Sequence, residues 1–119
     1  MAQINQDLVI YSENDLIIRF EDVYNENNGS LLSVGDIIGA SYAITPFEDD
    51  VEPIITKDLI SGGITIPEDG IILVALESSD TIDISGEFTH ELRLRHSGGI
   101  QTASRGKMNI KYKVANTPL

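Results

Sequence analysis

Histidine is the side chain best suited to proton transfer and metal binding near neutral pH, and the chain has just two, His90 and His96. Both fall on the same face of one predicted strand, six residues apart. At about 3.3 Å of rise per residue they lie roughly 20 Å apart, too far for a shared metal ion or a proton relay. We predict that His90, between Phe88 and Leu92, is a core residue and that His96, beside a hairpin turn, is exposed.

Nucleophilic catalysis needs a serine or threonine held by a base and an orienting acid. The serines lie mainly in predicted turns, and the sequence contains no Gly-x-Ser-x-Gly elbow, phosphate-binding loop or dinucleotide fingerprint. The sequence therefore predicts a protein that is not an enzyme, with no catalytic residues and no cofactor.

The segment Phe47–Glu52 is the one place where hard oxygen ligands gather, with four carboxylates within residues 48–52. It lacks the alternating ligand spacing and the glycine turn of a dedicated calcium loop. We predict a solvated acidic loop and no metal site, with calcium binding as the alternative.

Aromatic side chains could form a platform for glycans, but the chain has no Trp, four Tyr and three Phe. Tyr42 and Phe88 fall on apolar strand faces and are predicted to be core. The remaining candidates for exposure, which are not close together in the sequence, are Tyr11, Tyr24, Phe47 and Tyr112.

The charge is unevenly distributed along the chain. The net charge is −11, but residues 1–91 carry −17 and residues 92–119 carry +6. The last two strands should therefore form a basic ribbon on an acidic body, and such a ribbon favours docking on acidic surfaces, including a second copy. Alternatively, the ribbon pairs with acidic neighbours inside its own domain. Nucleic acid is disfavoured because the whole molecule would repel phosphates. The interface candidates are Arg93, Arg95, Arg105, Lys107, Lys111 and Lys113.

Short apolar or alternating runs separated by turn residues predict about seven or eight strands. The run 71–76 is nearly all apolar and is predicted to be central, whereas 87–96 alternates, with Phe88, His90, Leu92 and Leu94 facing the core. A similar alternation places Ile38, Ala40, Tyr42 and Ile44 on one face. The predicted strands are 8–11, 15–21, 37–45, 54–57, 64–66, 71–76, 87–96, and 100–114 with a bulge at Arg105-Gly106.

With no amphipathic helix long enough to cover a sheet, two sheets must cover each other, which predicts an all-β, immunoglobulin-like β-sandwich of antiparallel strands. We expect one domain at residues 7–114, with an N-terminal arm at 1–6 and a C-terminal tail at 115–119. The absence of cysteine is typical of a protein made in a reducing cytoplasm. The N-terminus lacks a signal-peptide pattern, so we expect no secretion through a signal peptide. No apolar run is long enough to predict a membrane span.

The last third of the chain carries three short motifs: Asp80-Thr81-Ile82-Asp83, Gly86-Glu87-Phe88-Thr89-His90-Glu91-Leu92 and Arg105-Gly106. In this pattern the chain resembles the small immunoglobulin-like β-sandwich proteins of tailed bacteriophages and prophages. The resemblance implies that Asp80-Thr81 ends one strand and that Gly86 starts the next. It also places Phe88 at the aromatic corner, without the hydroxyl of the usual tyrosine.

The resemblance further implies a structural protein of a phage virion, which binds major capsid, tail or baseplate subunits as a capsid decoration or cement protein or as a tail or baseplate accessory. We expect it to be a symmetric multi-copy assembly or homo-oligomer located in the virion, without nucleic acid or membrane partners. The alternative is a stand-alone adhesion β-sandwich that binds a ligand or glycan.

Overall fold

Apart from two short 3₁₀ turns, all the regular secondary structure of the described residues is β-strand. A computed structural model describes residues 4–5, 7–46 and 52–112. Its nine strands are β1 (Ile4–Asn5), β2 (Leu8–Tyr11), β3 (Leu16–Phe20), β4 (Ile37–Pro46), β5 (Ile55–Asp58), β6 (Ile64–Glu68), β7 (Ile71–Leu76), β8 (Gly86–His96) and β9 (Gly99–Lys111). Short 3₁₀ turns lie at Val34–Asp36 and Ser78–Thr81.

The strands form two sheets that enclose one hydrophobic core. The larger sheet has the order β1-β9-β8-β4-β5, with β2 also paired to β9, and the smaller sheet has the order β3-β7-β6. This is the strand order of an immunoglobulin-like sandwich of variable type, in which β5 extends the sheet of β9, β8 and β4. The predicted fold class is confirmed, except that β1 and β2 pair with β9 in parallel.

The period-two alternation of β8 fixes which residues enter the core. Phe88, His90, Leu92 and Leu94 are all buried, as predicted, and alternate with half-buried or exposed side chains. On β4, the hydroxyl of Tyr42 lies 3.1 Å from Nδ1 of His90, and both side chains are fully buried. This hydrogen bond gives the two buried polar groups a partner in the core.

The sequence analysis missed one irregularity of the larger sheet and misplaced another. Ile38 was predicted to share the inner face of β4, but the register shifts between Ile37 and Gly39, and Ile38 is 63% exposed. On β9 the extra residue is Ala103, since Leu92 pairs with Ser104 and Arg93 with Thr102. The bulge predicted at Arg105-Gly106 therefore lies two residues earlier in the chain.

At the ends of strands, one further prediction is corrected and one is confirmed. Asp80-Thr81 does not end a strand, because β7 stops at Leu76 and both residues belong to the second 3₁₀ turn. Gly86 does begin β8, as predicted, with a φ of +118° that favours glycine. Part of the predicted N-terminal arm is a strand, because Ile4–Asn5 pairs with β9, whereas the tail at 115–119 lies outside the described residues.

Candidate docking face

The outer face of the larger sheet carries the bases singled out in the sequence. Because Phe88, Leu92 and Leu94 point into the core, the alternate residues Arg93 and Arg95 point outward. The next strand, β9, brings its own bases alongside, with Arg105 opposite Glu91 and Lys107 opposite Thr89. The set that we call the basic face consists of Arg93, Arg95, Arg105, Lys107 and Lys111, all of them exposed. Lys113, the sixth candidate, lies outside the described residues.

Glu91 is the nearest acidic partner to two of these bases. Its carboxylate lies 3.9 Å from Nε of Arg93 and 4.0 Å from Nε of Arg105, and both arginine side chains are more than half exposed. Ion pairs this long and this exposed contribute little to stability, of the order of 0–1 kcal/mol each. Pairing inside the domain therefore occurs but leaves both guanidinium groups available for a partner.

Arg95 differs from its neighbours, because no ion pair joins it to any acid in the described ranges. Across the sheet it lies between Gly39 on β4 and Ile100 on β9. These strands surround a shallow depression of about 220 Å³, whose lining includes Gly39, Ser41, Arg93, Arg95 and Ile100. The depression exists because Gly39 and Ser41 are small.

Two exposed aliphatic residues belong to the strands of this depression: Ile100 lines it, and Ile38 directly precedes Gly39, which also lines it. Ile100 is 50% exposed, and Ile38, turned outward by the bulge in β4, is 63% exposed. The sequence analysis did not identify either isoleucine as an interface residue. The signal that could have found Ile38 is Gly39, since a glycine within a strand often marks a bulge.

His96 is buried at 3% exposure, which contradicts the prediction that it is exposed. Its Nδ1 accepts a hydrogen bond from the N–H of Gly98, so Nε2 carries the proton and donates to Oε1 of Gln101. Gln101 in turn donates to the carbonyl of Tyr24 and accepts from the N–H of Glu26. The loop between β3 and β4 thus covers His96, a long-range contact that the local sequence does not encode.

The buried Tyr42–His90 pair offers no open catalytic site. Burial raises the pKa of the Tyr42 hydroxyl far above its usual range. Both side chains are fully buried, so a substrate could reach neither without opening the core. We assign the pair a structural role.

The described ranges contain no group of three or more potential metal-ligating side chains. Most of the acidic segment 48–52, including Glu48, Asp49 and Asp50, lies outside them, as does Phe47. Tyr11, Tyr24 and Tyr112 are exposed, as predicted. No helix long and apolar enough to cross a membrane occurs in the described part of the chain.

No protein-family model and no curated protein matches the sequence. Among solved structures, the chain is similar to the natural killer cell receptor Nkp44, at 16% identity and a TM-score of 0.48, covering 92% of this chain and 99% of the receptor. It is also similar to murine CRIg, at 13% identity and a TM-score of 0.36, covering 95% and 93% of the two chains.

A third similarity is to a 2,6-sialyltransferase of Photobacterium sp., at 9% identity and a TM-score of 0.37. It covers 94% of this chain but just 18% of the transferase. All three similarities are too weak to say anything about function.

Proposed function

We propose that the chain is a non-enzymatic structural protein of a phage virion that docks on other virion subunits through its basic face. The observation that carries the docking role is that bases from β8 and β9 lie on one exposed surface while the molecule as a whole is strongly acidic. A partner with an acidic surface patch is the chemical complement of such a face.

The composition of the face supports protein docking over catalysis. Arginine is enriched in protein interfaces because its planar guanidinium binds carboxylates through two parallel hydrogen bonds. The larger sheet also exposes Ile38 and Ile100, which can be buried against a partner. Small residues on β4, such as Gly39, Ser41 and Ala43, allow another surface to approach the sheet closely.

The virion part of the proposal is supported by the resemblance of the 80–106 motifs to phage immunoglobulin-like proteins. In that role the chain is a capsid decoration or cement protein, or a tail or baseplate accessory, present in several copies. Its partners are major capsid, tail or baseplate subunits, and its location is the assembled particle.

The test is binding of the purified chain to the capsid and tail proteins of its source genome, measured by co-sedimentation. Reversing two charges, Arg93→Glu with Arg95→Glu, should weaken binding by about tenfold or more, since several charge-assisted contacts are lost. The matched control is Arg19→Glu, an exposed arginine on β3 in the opposite sheet, which should bind like the unmodified chain. Equal binding by the double variant and the unmodified chain would contradict the proposal.

A stand-alone adhesion domain is the second candidate, because two exposed tyrosines lie near one edge of the larger sheet. Tyr11 pairs with Lys111, the neighbour of Tyr112, and Tyr112 is 61% exposed. Exposed aromatic rings are typical platforms for sugars. If the chain binds no virion subunit but is retained on immobilised glycans, this second function replaces the first.

A further inference from the structure

The bulge in β4 exposes an aliphatic side chain directly before Gly39, the residue opposite Arg95, and Arg95 forms no ion pair with the described acids. Ile37 lies opposite the buried His96, and Gly39 lies opposite the outward Arg95. The extra residue between them, Ile38, is exposed and directly precedes Gly39, which lines the depression. Bulges of this kind re-aim a side chain and are common beside functional sites.

We propose that this depression is the anchor site of the basic face, and that it binds an acidic segment of a partner protein in which an aliphatic side chain neighbours a carboxylate. We call the site the bulge site and define it by Ile38, Gly39, Arg93, Arg95 and Ile100. The inference rests on the proposed function in that it names the partner chemistry for the same face.

Charge complementarity identifies the carboxylate. Arg95 has no acidic partner in the described part of the chain, and Arg93 has only the 3.9 Å contact with Glu91. On one face of a strand, side chains two residues apart are separated by about 6.6 Å. Two guanidinium groups at that spacing can bind one carboxylate between them or two carboxylates side by side.

The aliphatic part of the partner is identified by the two isoleucines. Ile100 lies opposite Arg95 on β9, and Ile38 directly precedes Gly39, the residue opposite Arg95 on β4; each strand is about 4.8 Å from β8. Each is at least half exposed, so a partner that covers them removes apolar surface from water. A purely polar acidic chain would leave that surface uncovered, which is why the site selects an acidic segment with aliphatic side chains.

The net charge of −11 repels an acidic partner at long range. At physiological salt the Debye length is about 8 Å, so charges elsewhere on the body are largely screened while direct contacts with Arg93 and Arg95 are not. Binding at the bulge site is therefore local. Its affinity should be set by these few side chains rather than by attraction to the whole molecule.

The experiment is fluorescence polarisation with three labelled ten-residue probes, in which Glu alternates with Leu, Gln with Leu, or Glu with Ser. The Glu–Leu probe should bind at least about tenfold more tightly than either of the others. Equal binding of the Gln–Leu probe or of the Glu–Ser probe would overturn the proposal, because charge or apolar contact alone would then suffice.

Two variants locate the site on the chain. Arg95→Glu should weaken binding of the Glu–Leu probe by about tenfold or more. Gly39→Leu should weaken binding of the same probe to a similar extent without changing any charge, because the introduced leucine side chain would fill the depression. A Cβ at Gly39 would meet nothing closer than Cβ of Arg95 at 3.8 Å, so a side chain can begin at this position without a steric clash. Controls are Thr45→Leu, on the same strand away from the depression, and Arg19→Glu. Unchanged binding by Gly39→Leu would place the probe elsewhere.

The outcomes separate this inference from the proposed function. If the probes do not bind the bulge site but the double variant Arg93→Glu, Arg95→Glu no longer docks on virion subunits, the inference fails and the proposed function stands. If the probes bind as expected but no virion subunit does, the inference stands and the proposed virion function fails. Light scattering of the same samples tests a second copy as the occupant. If the chain forms a dimer that Gly39→Leu dissociates, and no probe binds, the occupant of the site is a second copy and not a segment of a partner protein.

Discussion

At the scale of single residues, the side chain of Asp80 holds together parts of both sheets. Its Oδ2 lies 2.9 Å from Nζ of Lys57 on β5 and accepts a hydrogen bond from the N–H of Glu77 at 2.7 Å. The Glu77 side chain accepts in return from the N–H of Asp80, which completes a capping box. One carboxylate therefore joins the edge of the larger sheet to the turn that follows the smaller one.

This arrangement makes the free energy of unfolding depend on pH. Burial by itself raises the pKa of Asp80, but the hydrogen bond from Lys57, the N–H of Glu77 and the Lys57 charge together bring it below the ordinary 3.8. The Ser61 hydroxyl and N–H likewise lower the pKa of Asp58. Because both groups bind protons less readily when folded, their contribution is present above about pH 4 and is lost as pH falls below it.

We expect Asp80→Asn to lower the free energy of unfolding by about 1 kcal/mol at pH 7, since charge-assisted bonds are lost from a partly exposed site. The variant should also lose less stability than the unmodified chain between pH 4 and pH 2. Urea unfolding at a series of pH values measures both effects. Asp83→Asn, in the exposed turn that follows, is the matched control. Parallel pH curves for Asp80→Asn and the unmodified chain would show that the ion pair has no role.

Among the structural elements, the loop between β3 and β4 is connected to the hairpin of β8 and β9 by hydrogen bonds of the Gln101 side chain. It bonds His96, the carbonyl of Tyr24 and the N–H of Glu26, at 2.8, 2.9 and 3.2 Å. His96 and Gln101 are both 3% exposed. The loop is therefore held by a buried polar network as well as by the apolar residues Val23 and Leu32.

We expect Gln101→Ala to cost about 1–3 kcal/mol, because it leaves buried polar groups of the loop without partners. Hydrogen exchange should become faster at residues 24–32 and stay slow in β4 and β8. Thr102→Ala, the half-exposed neighbour on β9, should change neither quantity. Unchanged exchange of the loop in Gln101→Ala would mean that packing of Val23 and Leu32 alone holds it.

The same network shows what the sequence could and could not predict. The alternation of β8 gave the core residues and the outward direction of Arg93 and Arg95, because period-two patterns are local. The burial of His96 depends on a loop some seventy residues earlier in the chain, and the exposure of Ile38 depends on a register shift. Neither leaves a periodic pattern, so the basic face was predicted while the bulge site within it was not.

At the scale of the whole molecule, the charge segregation seen in the sequence becomes a spatial one. The five described bases after residue 91 lie on β8 and β9, the inner strands of the larger sheet. All 19 acidic residues precede them in the chain, against two bases. Like charges on the acidic body repel one another in the folded state more than in the expanded unfolded chain.

Added salt should therefore stabilise the protein. Between 10 mM and 150 mM salt the Debye length falls from about 30 Å to about 8 Å, which screens repulsion across the body but changes contacts at 3–4 Å much less. We expect the melting temperature, measured by calorimetry on a dilute monomer, to rise by roughly 3–5 °C, the equivalent of about 1 kcal/mol for a domain of this size. A melting temperature that fell instead would show that the ion pairs of Lys57 with Asp80 and of Arg93 and Arg105 with Glu91 outweigh the repulsion. The acidic surplus would then serve solubility without a cost in stability.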